Sequence, residues 1–196
     1  DVLLVSVCPT PSSALPLPEI DSGGIAEGLN YQPGVVPSSW IAIFGRNLSS
    51  TTRDWSGSPE LALNKLPFNL DGVSVTINGK PAAVSYVSPG QINLLSSPDV
   101  GVGSATVVVR NVNGESAPAT IRSSPALPAF YAPFVDSGGN LLVTALAADG
   151  SYLGKVGLDP RVRRALRPGE IVLLFGTAFG EAAPAPPTDS VFAGIY

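Results

Sequence analysis

The chain has 196 residues, 44% hydrophobic and 13% charged, enough apolar material for one large or two small packed domains. Eleven basic and 15 acidic residues, scattered along the chain, leave a net charge of −4 and exclude the broad basic stripe that nucleic acid requires. Histidine is absent, which removes Ser-His-Asp and Cys-His catalysis and the usual zinc sites together.

No catalytic residue, metal site or cofactor is therefore expected, and the chain reads as a non-enzyme. The single cysteine, Cys8, cannot form an intrachain disulfide. No apolar run reaches the roughly 18 residues of a membrane-spanning helix. With 21 Gly and 20 Pro, helices would be broken repeatedly, whereas the turns of a sandwich accommodate both residues, so the fold expected is all-β.

In chain order, Asp1 to Val7 is apolar with an acidic start and no basic flank, which reads as a strand and not a signal peptide. Residues 8–36 are rich in Pro, Ser and Gly and predict an extended surface segment. Trp40-Ile-Ala-Ile-Phe44, closed by Gly45, predicts a buried strand, and Asn47 to Asn69 a long connection.

Val73, Val75 and Ile77 alternate with Ser74, Thr76 and Asn78, the pattern of a half-exposed strand. Asn78-Gly79 predicts a type I′ turn into a return strand at 82–87, because both central positions of that turn need positive φ. Further strands are expected at 91–95 and 104–110, with Asn113-Gly114 repeating the hairpin signal. After a Pro-rich stretch, Asn140 to Leu146 and Ser151 to Lys155 flank Asp149-Gly150 and predict a third hairpin. Pro160 to Leu166 is the only helical candidate.

The chain also repeats itself. Pro37-Ser-Ser-Trp-Ile-Ala-Ile-Phe-Gly-Arg-Asn-Leu48 aligns without a gap on Pro168-Gly-Glu-Ile-Val-Leu-Leu-Phe-Gly-Thr-Ala-Phe179. In each copy a turn should feed a buried strand, the glycine permit a sharp exit, and the late Leu or Phe fold back onto the sheet. The organisation expected is an N-terminal segment and linker (1–30), one full module (31–125), a linker with a hairpin (126–166) and the first part of a second module (167–196). The second module is completed either beyond this sequence or by a strand from another molecule, for which Val2, Leu3, Leu4, Val5 and Val7 are the candidate donor.

Tyr31-Gln-Pro-Gly, Trp40 to Leu48, Leu70 to Ala82, Tyr86-Val-Ser-Pro-Gly-Gln-Ile-Asn93 and Arg167 to Gly176 resemble an uncharacterised carboxy-terminal domain family of Solibacter and other Acidobacteria, itself similar to the IPT/TIG group. The resemblance covers about residues 25–196. It implies an immunoglobulin-like (IPT/TIG-type) β-sandwich from a secreted or cell-surface protein, with no catalytic residues to carry over.

Trp55, in a polar loop, is a candidate to stack on a sugar ring, with Tyr31 and Trp40 the nearest aromatics in sequence; the alternative is a tryptophan that caps the core. Asp136 to Asn140 and Asn111 to Glu115 carry oxygen ligands but lack the carboxylate density of a calcium loop, and read as turns. Arg161, Arg163, Arg164 and Arg167 read as a solvated turn. Two functions follow: a structural or adhesive module that contacts other protein modules or polymerises by strand addition, or a carbohydrate-binding accessory module whose partner is polysaccharide. A hydrolase would need two of Asp54, Glu60, Asp71 and Asp99 to converge.

Overall fold

The computed structural model describes residues 16–157 and 159–181; the candidate donor strand Val2 to Val7 and Cys8 lie outside them. The first unit is built from Glu19–Glu27 (β1), Trp40–Arg46 (β2), Arg53–Asp54 (β3), the one-turn helix Pro59–Ala62 (α1), Ser74–Ile77 (β4), Lys80–Val87 (β5), Gln91–Leu95 (β6), Gly103–Asn111 (β7), Gly114–Glu115 (β8) and Ala119–Ser123 (β9).

One sheet runs β1-β2-β6-β5 with β3 on the outer edge of β5; the other places β4 beside β7, which carries β8 and β9. β5 belongs to both, pairing with β4 through Lys80, Pro81 and Ala82 and with β6 from Ala83 onward. A parallel bridge from Val35 to Ser123 ties the segment after β1 to β9. This is the immunoglobulin arrangement, with A-B-E-D facing C-F-G.

The alternation read in the sequence fills the space between the sheets. Ile41, Ile43, Val84, Val87, Ile92 and Leu94 face Val73, Val75, Ile77, Val107 and Val109, all at most 1% exposed. Asn78 and Gly79 have φ of 51° and 73°, as the type I′ turn demands. The register of β5 against β6 slips at Ser85, so Val84 and Val87 both reach the core although three residues apart.

Four expectations are corrected. Residues 8–36 are not wholly a surface segment: Glu19–Glu27 is a strand of the first sheet, and Val35 and Val36 are buried. The Asn113-Gly114 turn is displaced by one residue, since Asn111 pairs with Gly114 and Val112-Asn113 form the bend. Pro160 to Leu166 forms a turn and no helix, because the Asp159 carboxylate accepts the Arg161 backbone N–H at 2.8 Å and Arg164 bridges in parallel to Leu153. Residues 140–146 do not run as one strand, as Leu141–Leu142 pairs with Phe134–Val135 and a new strand starts at Ala145.

The remaining elements are Ala129–Phe130 (β10), Phe134–Val135 (β11), Leu141–Leu142 (β12), Ala145–Ala147 (β13), Tyr152–Leu153 (β14), Val172–Leu174 (β15) and Gly176–Thr177 (β16). They reproduce the β1–β2 hairpin. β2 pairs with β1 as Ile41–Glu27, Ala42–Ala26, Ile43–Ile25, Gly45–Ile20 and Arg46–Glu19. At the offset of the sequence repeat, β15 pairs with β13 as Val172–Ala147, Leu173–Leu146 and Leu174–Ala145, and β16 with β10 as Gly176–Phe130 and Thr177–Ala129. Where β1 has a bulge between Ile20 and Ile25, the second copy inserts the β11–β12 hairpin.

The described residues thus form one immunoglobulin-like β-sandwich and a set of short strands that repeats its β1–β2 pairing. The two are joined by a hydrogen bond between the Ser39 and Thr177 hydroxyls at 3.0 Å. The strand expected to be buried in the second copy is not: Ile171, Leu173, Leu174 and Phe175 are 75%, 48%, 50% and 47% exposed, while Ile41 and Ile43 are 1% and 0%. Among the described residues β15 is the last strand of its sheet, whereas β2 lies between β1 and β6.

Candidate functional site

Because Ile41 and Ile43 point into the core, Trp40, Ala42 and Phe44 point out. Their cross-strand partners Leu95, Asn93 and Gln91 share that outer face. The slip at Ser85 brings Tyr86 opposite Asn93, and Asp54 of β3 opposite Tyr86, so one row crosses the sheet from Ala42 through Asn93 and Tyr86 to Asp54.

An aromatic pair stands at each end of β2. Trp40 meets Trp55 edge to face with ring centroids 5.7 Å apart, and Phe44 meets Tyr31 at 5.7 Å and 60°. Between them the Gln91 side-chain N–H donates to the Asn93 side-chain oxygen at 2.8 Å, and the Ser85 hydroxyl donates to the Asn93 carbonyl at 3.0 Å. These bonds fix the amide orientation and leave the Asn93 amide hydrogens without a protein acceptor among the described hydrogen bonds. Trp40, Phe44, Tyr86, Gln91 and Asn93 are half-buried, and Tyr31 is exposed.

Asp54 adds an anionic acceptor at the margin. Hydrogen bonds from the Ser56 side chain and backbone hold its carboxyl below the usual carboxylate range, so it stays ionised at neutral pH. That shift is opposite to the one a general acid needs. Asp71 is tied to Arg53 and to the Thr51 hydroxyl, each at 2.8 Å.

The three aromatics named in the sequence are therefore brought to one face as two pairs: Trp40 with Trp55, and Tyr31 with Phe44. Trp55 packs on the core, the alternative weighed for it, and also meets the Trp40 ring. Sequence reasoning missed Phe44, Tyr86, Gln91 and Asn93. The alternation Gln91-Ile-Asn-Leu carries the signal for the two amides; Tyr86 depends on the slip at Ser85, which no local pattern announces.

The other candidates resolve into local structure. Asp136 closes its own turn, accepting from the Gly138 and Asn140 backbone N–H groups and the Asn140 amide. Asn111 accepts from the Asn113 N–H within the β7–β8 turn. Arg161 is paired with Asp159 and lies over the Tyr152 ring, and Arg164 is paired with Glu170. Among the described residues no helix is long and apolar enough to cross a membrane.

No protein-family model and no curated protein matches the chain. Among solved structures it is similar to a γ-cyclodextrin glucanotransferase from alkalophilic Bacillus clarkii at 12% identity and a TM-score of 0.39, over 87% of this chain and 22% of that one. It is also similar to the surface protein SGBP-B of the Bacteroides ovatus mixed-linkage glucan utilization locus, described with a bound heptasaccharide, at 10% identity and a TM-score of 0.33, over 81% of this chain and 36% of that one. An auxiliary nutrient binding protein from Bacteroides ovatus matches at 15% identity and a TM-score of 0.31, over 63% and 26%. The chain spans about a quarter to a third of the length of these structures, and the likeness is one of β architecture alone.

Proposed function

We propose that this chain is a non-catalytic module of an exported protein that binds polysaccharide on the outer face of the β1-β2-β6-β5 sheet, and that it is of the IPT/TIG type. One observation carries the reading: two aromatic pairs flank a polar row of Asn93, Gln91, Tyr86 and Asp54 on a single half-exposed face. Sugar rings present an apolar C–H face that stacks on aromatic rings. Their hydroxyls need planar donors and acceptors at the edge, which amides and a carboxylate supply.

The spacing supports a chain ligand over a single sugar. Trp40 and Phe44 are four residues apart on one strand, about 13 Å at the rise of a β-strand, a length that underlies about two or three sugar rings. The side chains behind the sheet are buried in the core, which backs the face on a fixed scaffold.

Calorimetric titration with soluble polysaccharides and their oligosaccharides tests the proposal. Tyr86→Ala and Asn93→Ala should each weaken binding about tenfold or more, as expected for anchors worth over about 1 kcal/mol, with circular dichroism unchanged. Binding that survives both, together with Trp40→Ala, would place the ligand elsewhere, and no binding to any polysaccharide would overturn the proposal. The adhesive reading, contact with other protein modules, draws its support from the exposed apolar side chains Ile171, Leu173 and Leu174 and not from this face.

A further inference from the structure

The fixed charges around the aromatic face decide which glycans it can take. The sequence has 11 basic residues and all of them are among the described residues, so the rest of the sequence supplies no lysine or arginine to this face. Two stand at its margins, and each is already paired: Arg46 with Glu19 beyond Phe44, and Arg53 with Asp71 beside Asp54. The others lie off the outward rows of β2, β6 and β5. Lys65 follows α1, Lys80 follows the Asn78-Gly79 turn opposite Ile77, Arg110 and Arg122 are on β7 and β9, and the rest fall at 155–167.

Asp54, by contrast, is exposed and has no salt-bridge partner among the described residues. Its carboxylate accepts the Ser56 backbone N–H at 2.8 Å, and it shares a row with Tyr86 and Asn93. A sugar stacked on Tyr86 has its edge about 5 Å from Asp54, the spacing of neighbouring strands. An ionised carboxylate only accepts hydrogen bonds: it can take a sugar hydroxyl's hydrogen but has nothing to give an anionic group. A ligand carboxylate or sulfate placed there loses hydration with no unpaired arginine or lysine to replace it, and meets a like charge.

On the reading that this face binds polysaccharide, we infer that it selects neutral glycan chains over chains bearing uronic acids or sulfate, and that Asp54 is the specificity-determining residue. Like charges about 5 Å apart in water separate the two classes by about fourfold. Added salt screens that difference, whereas the stacking and hydroxyl contacts of a neutral chain do not depend on it.

Calorimetric titration of the full chain with soluble neutral polysaccharides (β-glucan, xylan, galactomannan, starch) and acidic ones (alginate, polygalacturonate, hyaluronan) tests the inference. The tightest neutral binder is then compared with the same polymer oxidised at C6 to the carboxylate. Oxidation should weaken binding about fourfold or more at low salt, less at about 0.5 M salt, and methyl esterification of the oxidised chain should restore it. Asp54→Asn, which keeps the acceptor for the Ser56 N–H, should bring the ratio of neutral to oxidised affinity close to one. Equal affinity of wild type for both forms, preference for an acidic polysaccharide, or a ratio unchanged in Asp54→Asn overturns the inference and leaves the sheet face as a glycan site. No binding to any of the polysaccharides removes the site and the inference together.

Discussion

The two Phe-Gly pairs of the repeat show how a single residue sets a strand's course. Neither Gly45 nor Gly176 has positive φ. A Cβ on Gly45 would collide with the carbonyl of Glu19, and one on Gly176 would lie 2.7 Å from the carbonyl of Ala129. Close approach of the opposing strand, and not a sharp exit, is what each glycine provides. Leu48 and Phe179 do fold back, each over its own glycine. Gly45→Ala should destabilise the first unit by about 1–3 kcal/mol, the cost of overpacking a site closed by backbone, measured as a shift of the urea midpoint. Ser96 is a second sensitive position: buried, its hydroxyl donates to the Val36 carbonyl at 2.6 Å and accepts the Ser39 N–H at 3.1 Å, so Ser96→Ala leaves both unpaired and should cost about 1–3 kcal/mol in the same assay.

Charge at the residue scale matters most in the second unit. Hydrogen bonds from Arg161, side chain then backbone, lower the Asp159 carboxyl to about 2. A carboxylate depressed on folding stabilises above its unfolded value and loses that contribution as pH falls through its folded one. The turn that carries Arg161 against Tyr152 should therefore hold at neutral pH and loosen between about pH 4 and pH 2, with an NMR titration of Asp159 giving its midpoint near the lower limit. A midpoint near 4 would contradict the pairing.

At the scale of elements, legibility followed periodicity. Trp40 to Phe44, Gly72 to Asn78, the Asn78-Gly79 turn and Gln91 to Leu95 could be read because each keeps one rhythm from end to end. β1 could not, since its bulge separates Ile20 from Ile25 by Asp21, Ser22, Gly23 and Gly24, and the alternation restarts out of phase. The burial of the repeated strand was misjudged for a different reason. Hydrophobicity is a property of the strand, but burial requires a layer packed on its face; Ile41 and Ile43 have the facing sheet, and among the described residues the core cluster includes none of β15. The candidate site was half legible: Trp40, Trp55 and Tyr31 stood out as aromatics, while the row joining Asn93, Tyr86 and Asp54 exists only once three strands are in register.

On the scale of the whole molecule, the two units differ in how much holds them. The first has a continuous core between two sheets; the second is a set of two- and three-residue strand pairings with Phe130, Leu141, Ile171, Leu173 and Phe179 exposed. Native-state hydrogen exchange should show amides of β2, β6 and β7 opening only with global unfolding, and those of β13 and β15 opening at a lower free energy. Equal protection of both units would mean that the second is stabilised by contacts outside the described residues.

The aromatic and amide face of the first sheet is proposed to receive a glycan chain. Chemical-shift mapping of the labelled full chain during titration with an oligosaccharide tests it most directly. Saturable shifts are expected of the Trp40 and Trp55 indole N–H signals and of the Asn93 and Gln91 side-chain amides, with the core of β7 unmoved. No saturable shift with any polysaccharide fragment, or shifts confined to the second unit, would contradict it.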